Sequence, residues 1–274
     1  MAERRVWGGD QADGLRRLFG SREPQVVAFA SGREACGRTT LVVQTAAALA
    51  RSGHGVVVVD ENPAPDNTLS AFGLATRNDF FQVIRGERSL VQVAIPAAPL
   101  VRIVPAARAA RELDRLSTSS QQRLAAGFRH MQDGADFVLI DCASRRSGNL
   151  SPVATLARHI VVVVAAQSTA ITHAYALIKR VAHDHGRDNF QIAVTRARSG
   201  EEARAIYDNM NRVAREHLGV RLDYLGASAV PVTDHFADAL LNSLPQALEE
   251  EAVGGFRPAV REATARPGML DSVL

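Results

Sequence analysis

The chain has 274 residues, of which 46% are apolar and 22% charged; that is ample for a buried core in one large domain or two small ones, and no run of about 18 apolar residues predicts a membrane-spanning helix. The start of the chain lacks the apolar stretch and cleavage site of a secretory signal, and two cysteines, Cys36 and Cys142, cannot make a disulfide framework, so a cytoplasmic protein is expected. The net charge of +3 is too small to argue for nucleic acid, and Lys179 is the only lysine among 32 basic residues, which excludes chemistry that needs a compact ammonium elsewhere.

Residues 1–23 read as an N-terminal extension. Within it, DQADGLRRLF predicts a short helix. Asp10 is a helix cap and Asp13 suits the positive end. Gln11, Leu15 and Leu18 share one face, while Arg16 and Arg17 extend from another. Valine-rich runs then predict strands at 25–30, 56–59, 101–104, 137–140, 160–166, 190–194 and 224–227. VVVV and IVVVVAA are apolar on both faces, as strands of a covered parallel sheet must be. Between the last runs lie helix signals. Ile171, Ala174, Tyr175, Ile178, Val181 and Ala182 follow the helical period after a cap at Ser168 or Thr169. Ser199 with Glu202 reads as a capping box before Ile206, Met210 and Val213. Residues 24–252 therefore predict one α/β domain with a mostly parallel central sheet and helices on both faces. Residues 253–274 carry glycine, proline and few large apolar groups, and read as a loosely ordered tail.

The first strand runs through SGREACGRTT into a helix, which is the context of a phosphate loop. The pattern G-x-x-x-x-G-K-[ST] falls on Gly32, Gly37, position 38 and Thr39, with Arg38 where the lysine belongs. Loop amides and the helix N-terminus would still attract an anion, and the Thr39 hydroxyl could serve magnesium. A guanidinium does not replace the flexible ammonium that reaches the β- and γ-phosphates.

SGREACGRTT resembles the deviant phosphate loop SGKGGVGKTT of the MinD/ParA ATPases. VVVVDENPAPDNTLSAFGL is similar to their VLLLDADxGLxNxDxxLG segment, with Asp60 on the first aspartate and Asn67 and Leu69 at the expected offsets. FVLIDCAS is similar to IIDTPAG, with Asp141 on the magnesium-side aspartate. QSTAITHAYALIKRVAHDHG, the segment from FQIAVTRARSG to LDYLGA, and the DQA element resemble one subgroup, the flagellar-number regulators of the FlhG/FleN type. The resemblance spans residues 10–250.

The resemblance implies a MinD-like P-loop NTPase fold and ATP with Mg2+ as cofactors. It implies a nucleotide site made of Gly32, Arg33, Cys36, Gly37, Arg38, Thr39 and Thr40, with Thr195 at the adenine-contacting position. It implies a metal site of Thr39, Asp60 and Asp141. It further implies a homodimer, and contact with the SRP-type GTPase FlhF through Asp10, Gln11, Ala12, Leu15 and Arg16, with Gln11 acting near the partner's nucleotide.

The departures from the family are systematic. Both signature lysines are arginine, Arg33 and Arg38. Glu34 and Ala35 replace loop glycines, and a carboxylate there repels phosphate. The second aspartate of the switch segment is Asn62, and an amide is a poor base. Ala143, Ser144 and Arg145 replace the small turn after Asp141. No confident catalytic residue remains, so the expectation is weak or absent ATP–Mg2+ binding, absent or very slow hydrolysis, and function by partner contact. Pro258 and Pro267 break any long C-terminal amphipathic helix, so recruitment to the pole or the inner membrane face would need a partner. No specific nucleic acid is expected. Two readings stand as alternatives: a working ATP-dependent dimerising switch, and a ParA-like non-specific DNA-binding partition protein suggested by the arginine excess.

Overall fold

A computed structural model describes residues 23–112, 117–145 and 148–228. The chain begins with β1 (Gln25–Ala30), α1 (Arg38–Arg51) and β2 (Val56–Asp60). Three short helices follow, α2 (Thr68–Ala71), α3 (Phe80–Ile84) and α4 (Leu90–Val93), then a hairpin of β3 (Ile95–Ala98) and β4 (Val101–Pro105). Next come α5 (Ala107–Glu112), α6 (Thr118–Gln132), β5 (Phe137–Asp141) and β6 (His159–Ala165). The described residues end with α7 (Ser168–His185), β7 (Asn189–Thr195), α8 (Gly200–Leu218) and β8 (Arg221–Ser228).

The sheet order is β3-β4-β2-β5-β1-β6-β7-β8. Every pairing is parallel except that of the edge strand β3 with β4. The predicted α/β class is therefore the observed one, with apolar side chains packed on both faces of the sheet. Val26, Ala28 and Ala30 of β1 enter one core, and Val27 and Phe29 enter the other. That two-sided burial is why the valine runs lack polar alternation.

Six of the seven predicted strands lie within one residue of the observed bounds. The seventh begins at Arg221 rather than 224, because Arg221 and Asp223 at its start hide the strand pattern. β3 is an addition. Its sequence, IPAA, has a single β-branched residue and a proline, which a sheet tolerates at its edge. The cap of α7 is Gln167, one residue before the predicted pair, and makes no side-chain bond. Ser199 does cap α8, accepting from the Glu202 amide at 3.1 Å, but the Glu202 carboxylate turns to the Arg198 amide instead of closing the box. The extension at 1–22, the domain end at 252 and the tail at 253–274 lie outside the described residues.

The direction in which the chain adds strands to the sheet reverses at β1, which sits between β5 and β6 and runs parallel to both. Ligand crevices of open α/β sheets form at the carboxyl ends of strands beside such a switch. Parallel register brings the crevice residues level: Asp141 lies opposite Phe29 on one side and Asp60 on the other. α1 leaves the crevice with Leu41, Val42, Thr45, Ala46, Ala48 and Leu49 buried.

Gly32 fixes how closely α7 approaches the loop after β1. A Cβ at Gly32 would overlap the carbonyl of His173 and lie 2.5 Å from the Ala174 amide nitrogen, both main-chain groups of α7. Main chain of a packed helix cannot step aside as a flexible side chain can. Gly32→Ala is expected to destabilise the fold by roughly 1–3 kcal/mol. Urea unfolding should show a lower midpoint at unchanged slope.

Candidate functional site

The loop between β1 and α1 keeps a tight anion-cradling shape. Ala35 has φ 59° and Gly37 φ 80°, both left-handed. Glycine adopts that conformation freely, whereas alanine does so at a cost of roughly 1 kcal/mol. Two side chains brace the loop. Ser31 Oγ donates to the Arg33 carbonyl at 2.8 Å, and Thr195 Oγ1 donates to the Cys36 carbonyl at 2.6 Å. Gly37 caps α1 without any side chain, so the amides of the first turn face the crevice uncapped. The cleft above them has a volume of about 620 Å³. Glu34, Gln44, Asp66, Ser70 and Arg196 are among its lining residues.

Below the loop lies a buried cluster of charge. Asp60, Glu61 and Asp141 stand at or just beyond the ends of β2 and β5, all buried. Arg38 turns inward to them. Its Nε donates to Asp141 Oδ1 at 2.5 Å, and its Nη1 donates to Ser31 Oγ at 3.1 Å and Ser144 Oγ at 3.4 Å. Asp141 Oδ2 accepts from Thr39 Oγ1 at 2.7 Å and from Thr68 Oγ1 at 3.3 Å. Thr39 Oγ1 in turn accepts from Asn62 Nδ2 at 3.0 Å. The two Asp60 oxygens accept from the Asn62 and Leu69 amides. Glu61 accepts from Ser151 Oγ at 2.5 Å and the Ala143 amide at 3.2 Å, tying the end of β2 to the loop after β5.

Burial and then the neighbouring Asp141 charge push the Asp60 carboxyl up to about 7. Burial also raises Glu61 to about 7, against the hydrogen bond from Ser151. Burial works to lower the Arg38 pKa, and Asp141 beside it outweighs that and raises it. Burial raises the Cys142 thiol well above its ordinary value, so this sulfur is held as an inert thiol; Cys36 is likewise free and buried.

The residues expected at the nucleotide and metal positions thus converge on one crevice, in specific roles. Arg38 faces Asp141. Arg33 donates from Nη1 to Thr169 Oγ1 at 2.8 Å, at the start of α7. Thr195 is buried under the loop and its hydroxyl is committed to the Cys36 carbonyl. Asn67 caps α2 by accepting from the Ser70 amide at 3.0 Å. Magnesium prefers near-octahedral oxygen ligation at about 2.1 Å. The oxygens of Thr39, Asp60 and Asp141 are each engaged by protein donors, and a guanidinium already lies on Asp141; this set as arranged does not fit the ion. Asp10, Gln11, Ala12, Leu15 and Arg16 lie outside the described residues.

Three residues of the site carried no sequence signal of their own. Glu61 follows Asp60 and reads as a loop acid, yet it is fully buried. Thr68 reaches Asp141 only through the fold. Arg196 lines the cleft at φ 57°, immediately after β7, the strand end where ligand crevices sit.

The raised carboxyls make stability fall with rising pH. Glu61 moves from an ordinary 4.5 to about 7, and Asp60 from 3.8 to about 7. Between those limits the folded chain holds protons that the unfolded chain has released. Each extra proton contributes a slope of about 1.4 kcal/mol per pH unit, with stability lost as pH rises towards 7. Urea titrations from pH 5 to 7 should show a shallower decline for Glu61→Gln than for the parent chain.

Comparison with known proteins agrees with this geometry. The profile of the AAA domain family matches residues 24–194. The antiactivator FleN of Pseudomonas aeruginosa is 32% identical over 211 residues, covering 77% of this chain and 75% of that protein. The flagellum site-determining protein YlxH of Helicobacter pylori is 22% identical over 229 residues, covering 80% and 77%. Among solved structures, the cell division protein MinD of Aquifex aeolicus superposes with a TM-score of 0.57 at 18% identity, covering 83% of this chain and 90% of that one. A plasmid partition protein of Borrelia burgdorferi bound to AMPPNP gives 0.62 at 12% identity, covering 84% and 100%. Cobyrinic acid a,c-diamide synthase of Mycobacterium smegmatis, solved with an ATP analogue and magnesium, gives 0.61 at 18% identity, covering 82% and 97%. With a phosphate loop at β1, paired aspartates at β2 and β5, and FleN as a relative over three quarters of its length, the chain belongs to the MinD/ParA-type P-loop ATPases, in the FlhG/FleN-like group.

Proposed function

We propose that this protein regulates flagellar number or placement by contact with an SRP-type GTPase of the FlhF kind, and that its own nucleotide cleft binds ATP weakly and hydrolyses it very slowly or not at all. The flagellar assignment is supported by membership of the FlhG/FleN-like group and by the likeness to YlxH, which is named as a flagellum site-determining protein. The statement about the cleft is carried by one observation: the Arg38 guanidinium is bound to Asp141 and does not extend over the loop. Phosphates entering the cleft would meet loop amides and the N-terminus of α1, but no ammonium. Glu34 and Asp66 add negative charge to the lining. Asn62 can orient a water through its amide but cannot accept that water's proton.

Contact with the partner is assigned to the N-terminal element, with Gln11 positioning a water at the partner's nucleotide. This leaves the chain's own cleft free of any catalytic duty. Recruitment to the cell pole or inner membrane face would come through the partner, and a second copy of the chain could join the same complex.

Two measurements test this. The full chain should stimulate the GTPase of the FlhF homologue, and Gln11→Ala should reduce that stimulation by at least roughly tenfold while leaving the melting temperature unchanged. ATP turnover with magnesium should stay at the level of a protein-free control. Turnover equal to that of FleN assayed alongside would overturn the proposed state of the cleft.

A further inference from the structure

We infer that the Arg38 guanidinium is the resident counter-ion of the buried carboxylate cluster and occupies the place of a divalent cation, so that a polyphosphate anion enters this cleft without a metal ion. The inference rests on the reading of the cleft as an anion site and goes beyond it in naming the form of the ligand.

Three carboxylates cannot share a water-free pocket without a cation or protons to offset them. Arg38 is in direct contact with Asp141, and the charges of Arg38 and Arg145 both act on Glu61. Arg38 is 8% exposed, against 2% for Asp60 and 0% for Glu61 and Asp141. Its hold is on several sides. Nε is on the carboxylate, and Nη1 is on the hydroxyls of Ser31 from the loop and Ser144 from the segment after β5. The guanidinium is therefore fixed at both ends of the crevice floor. Moving it out would leave the buried carboxylate of Asp141 without its counter-charge.

The oxygen set matches what a hard cation takes: a threonine hydroxyl just past the loop and two carboxylates level across β2 and β5. Each of these oxygens is engaged. Asp141 holds Arg38, Thr39 and Thr68; Thr39 holds Asn62; Asp60 holds the Asn62 and Leu69 amides. A divalent ion arriving there would face a guanidinium already seated on Asp141, and two like charges would then compete for one carboxylate. Among the described residues no three of His, Cys, Asp and Glu are disposed to hold a metal ion. The anion side is independent of this floor. The uncapped amides of α1 and the cleft-lining Arg196 face the ligand without passing through Asp141.

The test uses the full chain and its melting temperature, with Mg2+ and ATP as probes. For the parent chain, Mg2+ alone should give no shift, and ATP should give the same shift in EDTA as in Mg2+. Arg38→Ala should lower the melting temperature, Mg2+ should restore part of it, and Arg38→Ala with Asp141→Asn should abolish that rescue. If Arg38→Ala does not fold, Arg38→Lys supplies a flexible ammonium that can leave Asp141 for the phosphates and give the carboxylate up to a metal ion, and its ATP affinity should then rise tenfold or more with Mg2+. A parent chain whose ATP affinity rises tenfold with Mg2+, lost in Asp141→Asn, overturns the inference. So does a failure of Mg2+ to affect either Arg38 variant. ATP giving no shift under any condition overturns the anion half. None of these arms involves the partner GTPase, so a loss of partner stimulation alongside the expected Mg2+ results would overturn the flagellar reading alone.

Discussion

The crevice of this protein is organised around one buried ion pair, the guanidinium of Arg38 on the carboxylate of Asp141 at 2.5 Å. Removing one partner of such a pair typically costs 3–5 kcal/mol, because the remaining charge is stranded away from water. Here the pair also sets what surrounds it. Asp141 uses its other oxygen to hold Thr39 at the start of α1 and Thr68 at the start of α2. Arg38 uses its other donor to hold Ser31 of the loop and Ser144 beyond β5. Three stretches of the chain, 31–39, the start of α2 at Thr68, and 141–144, are thus fastened to one charge pair. Glu61 adds a further link through Ser151 and Ala143, and burial keeps its proton affinity high.

The loop above the pair keeps its form without the residues that usually ease it. Ala35 stands in left-handed conformation where the family sequence has glycine, and it is tolerated because the chain on either side is held. Ser31 ties the loop to itself, and Thr195 ties it to the end of β7. Gly32 has a different task. Its φ is ordinary, and what it supplies is the absence of a side chain against the backbone of α7. The two kinds of glycine in one motif therefore answer to different constraints, one conformational and one steric.

Much of this was legible in the sequence, for physical reasons that also mark the limit. Valine runs reveal strands because both faces of the sheet are buried, and the spacing of Gly32, Gly37 and Thr39 reveals the loop because backbone geometry fixes it. Asp60 and Asp141 are recognisable because each ends a strand. Their facing each other depends on β5 lying between β1 and β2, a matter of sheet order that no local pattern encodes. The direction of Arg38 was not legible at all. A motif gives a residue's position on the chain, while its rotamer is decided by which counter-charge the fold brings near. The same holds for Thr195, which sits at the expected strand end but spends its hydroxyl on the loop. Glu61 was hidden because an acid beside an acid in a proline-rich segment reads as solvated surface.

The chain's one lysine, Lys179, lies on the exposed face of α7, and the basic side chains described at the crevice are arginines. A ligand shifts a conformational equilibrium only by as much as its affinities for the two states differ. In a crevice where metal and phosphate jointly neutralise the carboxylates, nucleotide arrival changes the charge of the floor, and that difference can be large. Where a guanidinium has neutralised Asp141 beforehand, the floor has nearly the same charge with the cleft full or empty. Nucleotide then has little leverage over α1, α2 and the segment after β5. On the proposed reading the output of such a protein is set by what its N-terminal element touches, and the ATPase fold serves as the rigid body that presents it.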